Sequence, residues 1–124
     1  MGLMKAIVDS DILIDFLQGD DRSRAELSQY DDLGYSVISW MEIMCGADTD
    51  SEKEAAELLL HSLRQVDLNM NIARKAVSLR KNLRLKLPDA IILATADQEG
   101  CILLTRNTKD FKTSDPRIRV PYQL

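Results

Sequence analysis

Short apolar runs alternate along the chain with segments whose apolar residues recur at helical spacing. The runs predict strands at residues 4–8, 35–39, 66–68, 101–105 and 118–120, with Gly34 marking the turn before the second. The amphipathic segments predict helices at residues 11–18, 21–30, 52–65, 72–83 and 89–99, with one more beginning at Ser39. Strands that alternate with helices form a parallel sheet with helices on both faces. We therefore expect one three-layer α/β/α domain over residues 1–124, with a short, mostly parallel central sheet.

Local signals indicate where several of these helices begin. Ser39 with Glu42, and Ser51 with Glu54, match the Ser-x-x-Glu pattern of a capping box. This pattern predicts that Glu42 lies in the first turn of its helix. Pro88 suits the first turn of the last helix, because the N–H that proline lacks is not needed there.

The composition is that of an ordinary globular protein. Hydrophobic residues make up 45% and charged residues 29% of the chain, and no apolar run is long enough to span a membrane. The N-terminal apolar run meets Asp9 too soon for a signal peptide. Cys45 and Cys101 lie in apolar surroundings, so we expect buried free thiols in a cytoplasmic protein. The single histidine, His61, leaves a zinc site almost without ligands.

Charge is distributed unevenly along the chain. The net charge of −4 argues against a general nucleic-acid binder. Residues 74–86 nevertheless contain no acid and six cations, namely Arg74, Lys75, Arg80, Lys81, Arg84 and Lys86. A solvated helix face explains such a run when it stands alone. Its position just before Asp89 leaves a functional role open.

Four acids are placed where strands meet helices or loops. Asp9 ends the first strand, Glu42 follows the second, and Asp110 lies in the loop after the fourth. Because the carboxyl ends of parallel strands share one edge of a sheet, we expect these acids and Asn107 to lie together. Asp89, in the first turn of the last helix, is not assigned to that edge by topology alone.

Each acid taken alone has a structural explanation. Asp9, Glu42 and Asp89 could each stabilise a helix N-terminus, and Asp110 could be solvated surface. Taken together, carboxylates in a partly buried cleft repel one another, and a bound cation relieves that repulsion. Oxygen ligands without nearby His or Cys select a hard ion, Mg²⁺ or Mn²⁺. Such ions activate water and stabilise the leaving oxygen in phosphodiester hydrolysis.

Four segments also follow the order and spacing of a known family's motifs. They are VDSDILID at 8–15, SWMEIMCG at 39–46, LPDAIILATA at 87–96 and LTRNTKDF at 104–111. In this order they resemble the successive motifs of PIN-domain nucleases, and among these the chain is most similar to the toxin subunits of VapBC-type toxin–antitoxin pairs. The third segment is the most specific, and the resemblance covers essentially the full length.

The resemblance implies a Mg²⁺- or Mn²⁺-dependent endoribonuclease whose catalytic and metal-binding acids are Asp9, Glu42, Asp89 and Asp110. Positions that carry a hydroxyl or an Asp/Asn in relatives imply supporting roles for Ser10, Thr105 and Asn107. We expect a basic rim for the RNA backbone that includes Arg80, Arg84, Lys86, Arg106 and Lys109. The toxin resemblance further implies a cognate antitoxin and a homodimer formed through helical faces.

Two further acids of the first motif are left out of this set. Asp11 stands where relatives commonly carry Asn, and it could add charge to the site or only cap the helix. Asp15 recurs in relatives but lies about a turn and a half into the helix, which favours a structural role.

Other families share parts of this pattern. Asp9-Ser10-Asp11 also resembles the nucleophile motif of haloacid-dehalogenase-type phosphatases, but the later lysine and acidic pair that these enzymes need are not found in order. A phosphoacceptor receiver domain needs an acid closing the middle strand, for which Asp67 is a poor candidate, and a lysine near the last strand. A PIN nuclease outside toxin–antitoxin systems, and a PIN fold that only binds a partner, are the remaining alternatives.

Overall fold

The computed structural model describes residues 4–123 as a five-stranded sheet covered by helices on both faces. The strands are β1 (Lys5–Val8), β2 (Asp32–Ser36), β3 (Arg64–Val66), β4 (Ile102–Leu104) and β5 (Ile118–Arg119). The helices are α1 (Ser10–Leu17), α2 (Asp21–Leu27), α3 (Val37–Gly46), α4 (Asp50–His61), α5 (Met70–Leu83) and α6 (Leu87–Gln98). The predicted α/β/α fold is confirmed. Residues 1–3 and 124, which the predicted domain includes, lie outside the described residues.

The strands pair in parallel throughout, in the order β3-β2-β1-β4-β5. β1 is therefore central, with Ile7 opposite Gly34 of β2 and Val8 opposite Leu104 of β4. Ile7 and Val8 are fully buried, as expected for a strand covered on both faces. The Asp9 amide donates to the Leu104 carbonyl at 2.8 Å, so the carboxyl ends of β1 and β4 meet at one edge.

Separate apolar clusters cover the two faces of the sheet. Ile7 and Leu103 pack with residues of α5 and α6 on one face. Val8 and Leu104 pack with residues of α1 to α4 on the other. Burial of these side chains is the main favourable contribution to folding. Because side chains of β1 pack on both faces of the sheet, this burial also holds the strand in place. The strand consequently ends with Asp9 at the sheet edge, between the two helical layers.

β2 lies three residues earlier than predicted, over Asp32–Ser36 rather than 35–39. Gly34 belongs to this strand and does not form the predicted turn. A Cβ at Gly34 would lie 3.0 Å from Ile7 Cδ1 and 3.1 Å from the Arg64 carbonyl oxygen. The glycine therefore permits a close approach of the neighbouring strands, and a larger residue would make Ile7 or the Arg64 backbone shift by a few tenths of an ångström.

The start of α3 also differs from the prediction. Ser36 caps this helix by accepting a hydrogen bond from the Ile38 amide at 3.1 Å, and Val37 is its first residue. β-branched residues favour strands, which is why the sequence predicted a strand at this point. The predicted capping box of Ser39 with Glu42 is wrong, and Glu42 is the sixth residue of α3. Its side chain is not needed to begin the helix.

The capping box of α4 is shifted in the same direction. Thr49 and Glu52 form it through two reciprocal bonds of 3.1 Å, in place of the predicted pair Ser51 and Glu54. In both helices the cap lies ahead of the Ser-x-x-Glu pattern, so that pattern alone is a weak guide to where a helix begins.

Both cysteines are free, as predicted, but they differ in burial. Cys101 is half-buried, whereas Cys45 is exposed on α3, so the prediction of burial is wrong for Cys45. Within residues 4–123, no helix combines the length and apolar character needed to cross a membrane.

Candidate functional site

An open cleft of about 390 Å³ lies at the edge where β1 and β4 end. Its lining comprises Asp9, Ser10, Asp11, Glu42, Asp89, Arg106, Asn107, Thr108 and Lys109. Three of the four acids predicted for the site therefore share this cleft, and Asp89, which topology alone did not assign, is among them. We call it the acidic cleft.

Asp9 is both a helix cap and a member of the acidic cleft. Its Oδ1 accepts a hydrogen bond from the Ser10 amide at 2.8 Å, and its Oδ2 accepts one from the Thr105 hydroxyl at 2.8 Å. The residue is only 5% exposed. Burial, followed by the negative charges of Asp11 and Glu42, raises the pKa of Asp9 to about 7, although both hydrogen bonds oppose the shift. A nearby positive charge would stabilise the ionised form of this buried carboxyl.

Ser10 connects Asp9 to Glu42. The Ser10 hydroxyl lies 3.0 Å from Glu42 Oε1 and 3.4 Å from Asp9 Oδ1. It has a single proton to donate, and the shorter distance favours Glu42. Because Glu42 does not cap α3, the structural explanation that competed with a role in the site no longer applies to it.

Asp89 enters the cleft from the first turn of α6. Burial, followed by the negative charges of Asp110 and Glu42, raises the pKa of Asp89 to about 6, and the cation of Lys86 opposes this shift. Pro88 lies beside it in the first turn, as predicted. The four predicted acids therefore act on one another electrostatically.

Asp110 is oriented by Asn107 in the loop after β4. The Asn107 side-chain amide donates to Asp110 Oδ2 at 2.9 Å, and the Asp110 backbone amide donates to Asn107 Oδ1 at 3.1 Å. The first of these bonds lowers the pKa of Asp110. Asn107 itself is fixed through its backbone amide, which donates to Thr105 Oγ1 at 3.0 Å. Thr105 thus joins this loop to Asp9.

The chemistry of these side chains fits a hard divalent cation. Their donor atoms are carboxylate and amide oxygens, which Mg²⁺ and Mn²⁺ prefer. Like charges contribute to the raised pKa values of Asp9 and Asp89, and a cation would remove that repulsion. Among residues 4–123, no group of three or more Asp, Glu, His or Cys side chains lies close enough together to hold a metal ion. To hold one, the carboxylates would have to move closer together.

Asp11, left out of the predicted set, lies in the acidic cleft. Its Oδ2 accepts a hydrogen bond from the Arg106 amide at 3.1 Å and lies 3.4 Å from Thr105 Oγ1. Its Oδ1 is buried and has no hydrogen-bond partner in the described part of the chain. Burial raises the pKa of Asp11, and the bond from Arg106 opposes the shift. Its position two residues after Asp9 in the first motif was the sequence signal for it.

Arg106, predicted for the basic rim, lines the acidic cleft, and its side chain is engaged in an ion pair. Its guanidinium donates to both carboxylate oxygens of Asp15, at 2.6 Å and 2.9 Å. The Tyr122 hydroxyl also donates to Asp15, at 2.7 Å. This arrangement matches the structural role predicted for Asp15. Sequence reasoning missed Tyr122, for which no motif gave a signal.

The other predicted rim residues differ in their surroundings. Arg80 donates to the Leu85 carbonyl at 2.6 Å and so stabilises the connection between α5 and α6. Lys86 immediately precedes α6 without a side-chain capping bond and acts electrostatically on Asp89, and Lys109 lines the acidic cleft. Arg84 lines an adjoining cavity. Among the predicted rim cations, Lys109 and Arg106 line the acidic cleft and Lys86 acts on Asp89 by its charge.

Known proteins resemble this chain in sequence and in fold. The family model described as the PIN domain matches residues 6–115. A chain of a toxin–antitoxin complex from Klebsiella pneumoniae is 38% identical, with a TM-score of 0.89 over 96% of this chain and 99% of that one. Comparison of the sequence with curated proteins finds no match.

More distant structures share the fold. VapBC-1 from nontypeable Haemophilus influenzae is 22% identical, with a TM-score of 0.80 over 95% of this chain and 98% of that one. VapBC2 from Rickettsia felis, bound to a DNA fragment from its promoter, is 20% identical, with a TM-score of 0.79 over 93% and 96%. The PIN-domain family model matches most of the length of this chain. The chain therefore belongs to the PIN-domain family.

Proposed function

We propose that this protein is a Mg²⁺- or Mn²⁺-dependent endoribonuclease and the toxin of a type II toxin–antitoxin pair. One observation carries the nuclease proposal: Asp9, Glu42 and Asp89 line a single cleft, with the charge of Asp110 acting on Asp89. Membership of the PIN-domain family also supports a nuclease. Receiver domains and haloacid-dehalogenase-type phosphatases belong to other families.

Asp9, Glu42, Asp89 and Asp110 would hold the metal. When bound, a divalent ion lowers the pKa of its water and stabilises charge on the leaving oxygen of a phosphodiester. The remaining residues orient these acids. Thr105 and the Ser10 amide fix the two oxygens of Asp9, the Ser10 hydroxyl orients Glu42, and Asn107 orients Asp110.

Binding of the RNA backbone is proposed for the lysines beside the acids. Lys86 precedes Asp89 by three residues, and Lys109 precedes Asp110. Because the net charge is −4, these cations attract phosphate only locally. A Lys86→Gln or Lys109→Gln change is expected to weaken RNA binding and to reduce its dependence on salt.

The toxin role is supported by similarity to chains of toxin–antitoxin complexes. We propose a cognate antitoxin that blocks the acidic cleft, and a homodimer, with both proteins and the RNA substrate in the cytoplasm. A small neighbouring gene encoding a DNA-binding protein would support the pairing. Without such a gene, a PIN nuclease outside toxin–antitoxin systems becomes the better assignment.

Asp89→Asn tests the nuclease proposal. The rate at which structured RNA is cleaved in Mg²⁺ or Mn²⁺ should fall by more than about 100-fold. Substitution of residues that only support a metal ligand typically lowers activity by about 10–100-fold. Asp97→Asn, on the same helix but paired with Lys75 away from the cleft, is the matched control and should cleave normally. EDTA should abolish cleavage by both the wild-type protein and the control.

Undiminished cleavage by Asp89→Asn would show that the assignment of the acids is wrong. Absence of metal-dependent cleavage by the wild-type protein would favour a PIN fold that only binds a partner. The toxin role is tested separately, by comparing bacterial growth on expression of the wild-type protein and of Asp89→Asn. Only the wild-type protein should arrest growth.

A further inference from the structure

A second cavity, of about 810 Å³, adjoins the acidic cleft. The end of α5, Leu93 of α6 and the segment from Asp110 to Ile118 line it, and we call it the loop cavity. Its volume falls within the about 300–1,000 Å³ of pockets that bind small molecules. The hydrogen bonds and ion pairs that orient the acids of the acidic cleft do not explain why this second cavity exists.

Asp110 lies between the two cavities. Asp110 is among the residues that line the loop cavity, while its charge acts on Asp89 in the acidic cleft. An RNA strand with a phosphodiester at Asp89 would therefore have a neighbouring nucleotide beside the entrance to the loop cavity. This continuity connects the loop cavity with the proposed cleavage reaction.

The walls and rim of the loop cavity differ in chemistry. Leu93 and Phe111 are buried and give it an apolar floor. Arg84 and Lys112 are exposed at its rim, and neither forms a salt bridge within residues 4–123. A nucleobase has apolar faces and is attached to an anionic backbone, so this combination suits an unpaired nucleotide. Proteins that recognise unpaired RNA bases commonly stack them on arginine guanidinium planes, and Arg84 is exposed at this rim, whereas Phe111 is only 2% exposed.

Arg84 has an unfavourable backbone conformation for its residue type. It ends α5 with φ of 56°, and it is the one non-glycine residue with positive φ between residues 4 and 123. Helices that end in this conformation usually carry glycine there, because a Cβ is disfavoured. Such conformations are concentrated at functional sites. An arginine in place of glycine puts a cation at the rim of the loop cavity.

We propose that the loop cavity binds one unpaired base of the RNA substrate, next to the phosphodiester that is cleaved. Arg84 and Lys112 contact that nucleotide at the rim. This inference rests on the proposed endoribonuclease function and adds to it a base-binding subsite formed by the end of α5 and the segment from Asp110 to Ile118.

Ser114→Trp tests the inference by filling the loop cavity, since Ser114 is exposed and lines it. Thr113→Trp is the matched control, because Thr113 is also exposed but does not line the cavity. Cleavage of a pool of single-stranded RNAs of random sequence gives kcat, KM and, by sequencing of the product ends, the base preference at each position. We expect Ser114→Trp to raise KM by about tenfold, as for loss of one stacked base, and to weaken the preference at one position beside the cleavage point.

Arg84→Gln is a second variant that does not depend on the bulk of tryptophan. We expect it to raise KM and to reduce the salt dependence of RNA binding by about one ionic contact. Thermal unfolding and Mn²⁺ binding, measured for all three variants, verify that the fold and the acidic cleft are intact. Neither measurement should change for Ser114→Trp or Thr113→Trp.

Cleavage by Ser114→Trp and Arg84→Gln with the KM and base preference of the wild-type protein would overturn the inference and leave the proposed function intact. A change in oligomeric state alone, measured by light scattering, would assign the loop cavity to a protein interface and would also overturn it. Absence of RNA cleavage by the wild-type protein would reject the proposed function, and the inference with it.

Discussion

Asp15 and Arg106 form an ion pair with two hydrogen bonds, of 2.6 Å and 2.9 Å, between α1 and the loop after β4. The Asp15 side chain is 5% exposed and that of Arg106 is 24% exposed. Tyr122, near the C-terminus, donates a third bond to the same carboxylate. The pair therefore fixes the start of the loop that carries Asn107 and Asp110, although neither of its members belongs to the four predicted acids.

Asp15→Asn should lower the free energy of unfolding by about 3 kcal/mol at neutral pH, because it leaves the Arg106 guanidinium partly buried without a counter-charge. Urea denaturation measures the change. Asp48→Asn is the control, since Asp48 is exposed and forms no side-chain hydrogen bond or ion pair among the described residues. Equal stability of the two variants would contradict the role assigned to the pair.

The same pair predicts how stability depends on acid. Burial raises the pKa of Asp15, but the hydrogen bonds from Arg106 and Tyr122 outweigh it, and the net pKa is lowered. A carboxyl with a lowered pKa stabilises the fold above its ordinary pKa of about 4, and this contribution is lost as the pH falls through the lowered value. The stability difference between the wild-type protein and Asp15→Asn should therefore shrink below about pH 4. A difference that is constant with pH would contradict this.

Asp9 should have the opposite dependence on pH. Its pKa is raised from 3.8 to about 7, so the folded protein loses stability from this group as the pH rises between these values. Without metal, Asp9→Asn should be more stable than the wild-type protein at about pH 8, by at least the roughly 1.4 kcal/mol that corresponds to one pKa unit. Below about pH 4 the gain should vanish. Denaturation at both pH values checks this.

Mn²⁺ provides the control for the Asp9 prediction. The ion should stabilise the wild-type protein more at about pH 8 than at about pH 5, because its ligands must be deprotonated. Asp9→Asn should lose most of this stabilisation. A variant that is less stable than the wild-type protein at high pH, or equally stabilised by Mn²⁺, would show that Asp9 does not act as described.

Thr105→Val should make the acidic cleft bind metal less well near neutral pH. The change removes the hydroxyl that donates to Asp9 Oδ2, and that bond lowers the pKa of Asp9. The pH at half-maximal Mn²⁺ binding should therefore rise. Thr105→Ser keeps the hydroxyl and should bind Mn²⁺ like the wild-type protein. Similar pH profiles for Val and Ser would contradict the prediction.

Asp11 can be tested as a positioning residue by comparing two substitutions. Asp11→Asn keeps an oxygen that can accept the bond from the Arg106 amide, whereas Asp11→Ala does not. If Asp11 only positions the loop, Asn should retain Mn²⁺ affinity and Ala should lower it by about 10–100-fold. Titration calorimetry measures both affinities. Equal losses for Asn and Ala would indicate that the charge of Asp11 acts directly on the ion.

Arg84→Gly should separate stability from RNA binding. The left-handed conformation of a non-glycine residue destabilises the folded state by roughly 1–2 kcal/mol. Glycine removes this cost, but its greater freedom in the unfolded chain offsets part of the gain. The free energy of unfolding should therefore be unchanged or rise by up to about 1 kcal/mol, while the affinity for RNA falls. Lys53→Gln, which removes an exposed cation from α4, is the control and should change neither.

The strands were predictable where they are buried on both faces. β1 and β4 differ from their predicted ranges by at most one residue at each end, because a central parallel strand is a continuous apolar run. β2 was misplaced because its exit depends on the Ser36 cap, and the β-branched Val37 and Ile38 continue into a helix. Local propensity could not distinguish these outcomes.

The candidate site was predictable in its acids but not in their connections. Asp9, Glu42 and Asp110 follow from strand order, and their roles as metal ligands remain predictions. The pairing of Arg106 with Asp15 joins residues 91 positions apart. Neither residue carries a sequence signal that identifies the other as its partner. Long-range ion pairs of this kind depend on the packed geometry, so the pairing of Arg106 with Asp15 could not be predicted before the fold was known.

The central position of β1 has a consequence for synthesis on the ribosome. β1 pairs with both β2 and β4, and β4 begins only at Ile102. Until residues 102–105 have emerged, the strand that precedes Asp9 lacks one neighbour, and Asp9 lacks the Thr105 hydroxyl. A partly translated chain therefore cannot assemble the acidic cleft. For the proposed endoribonuclease, this order of events delays assembly of the four acids until β4 and Thr105 are available to pair with β1 and Asp9.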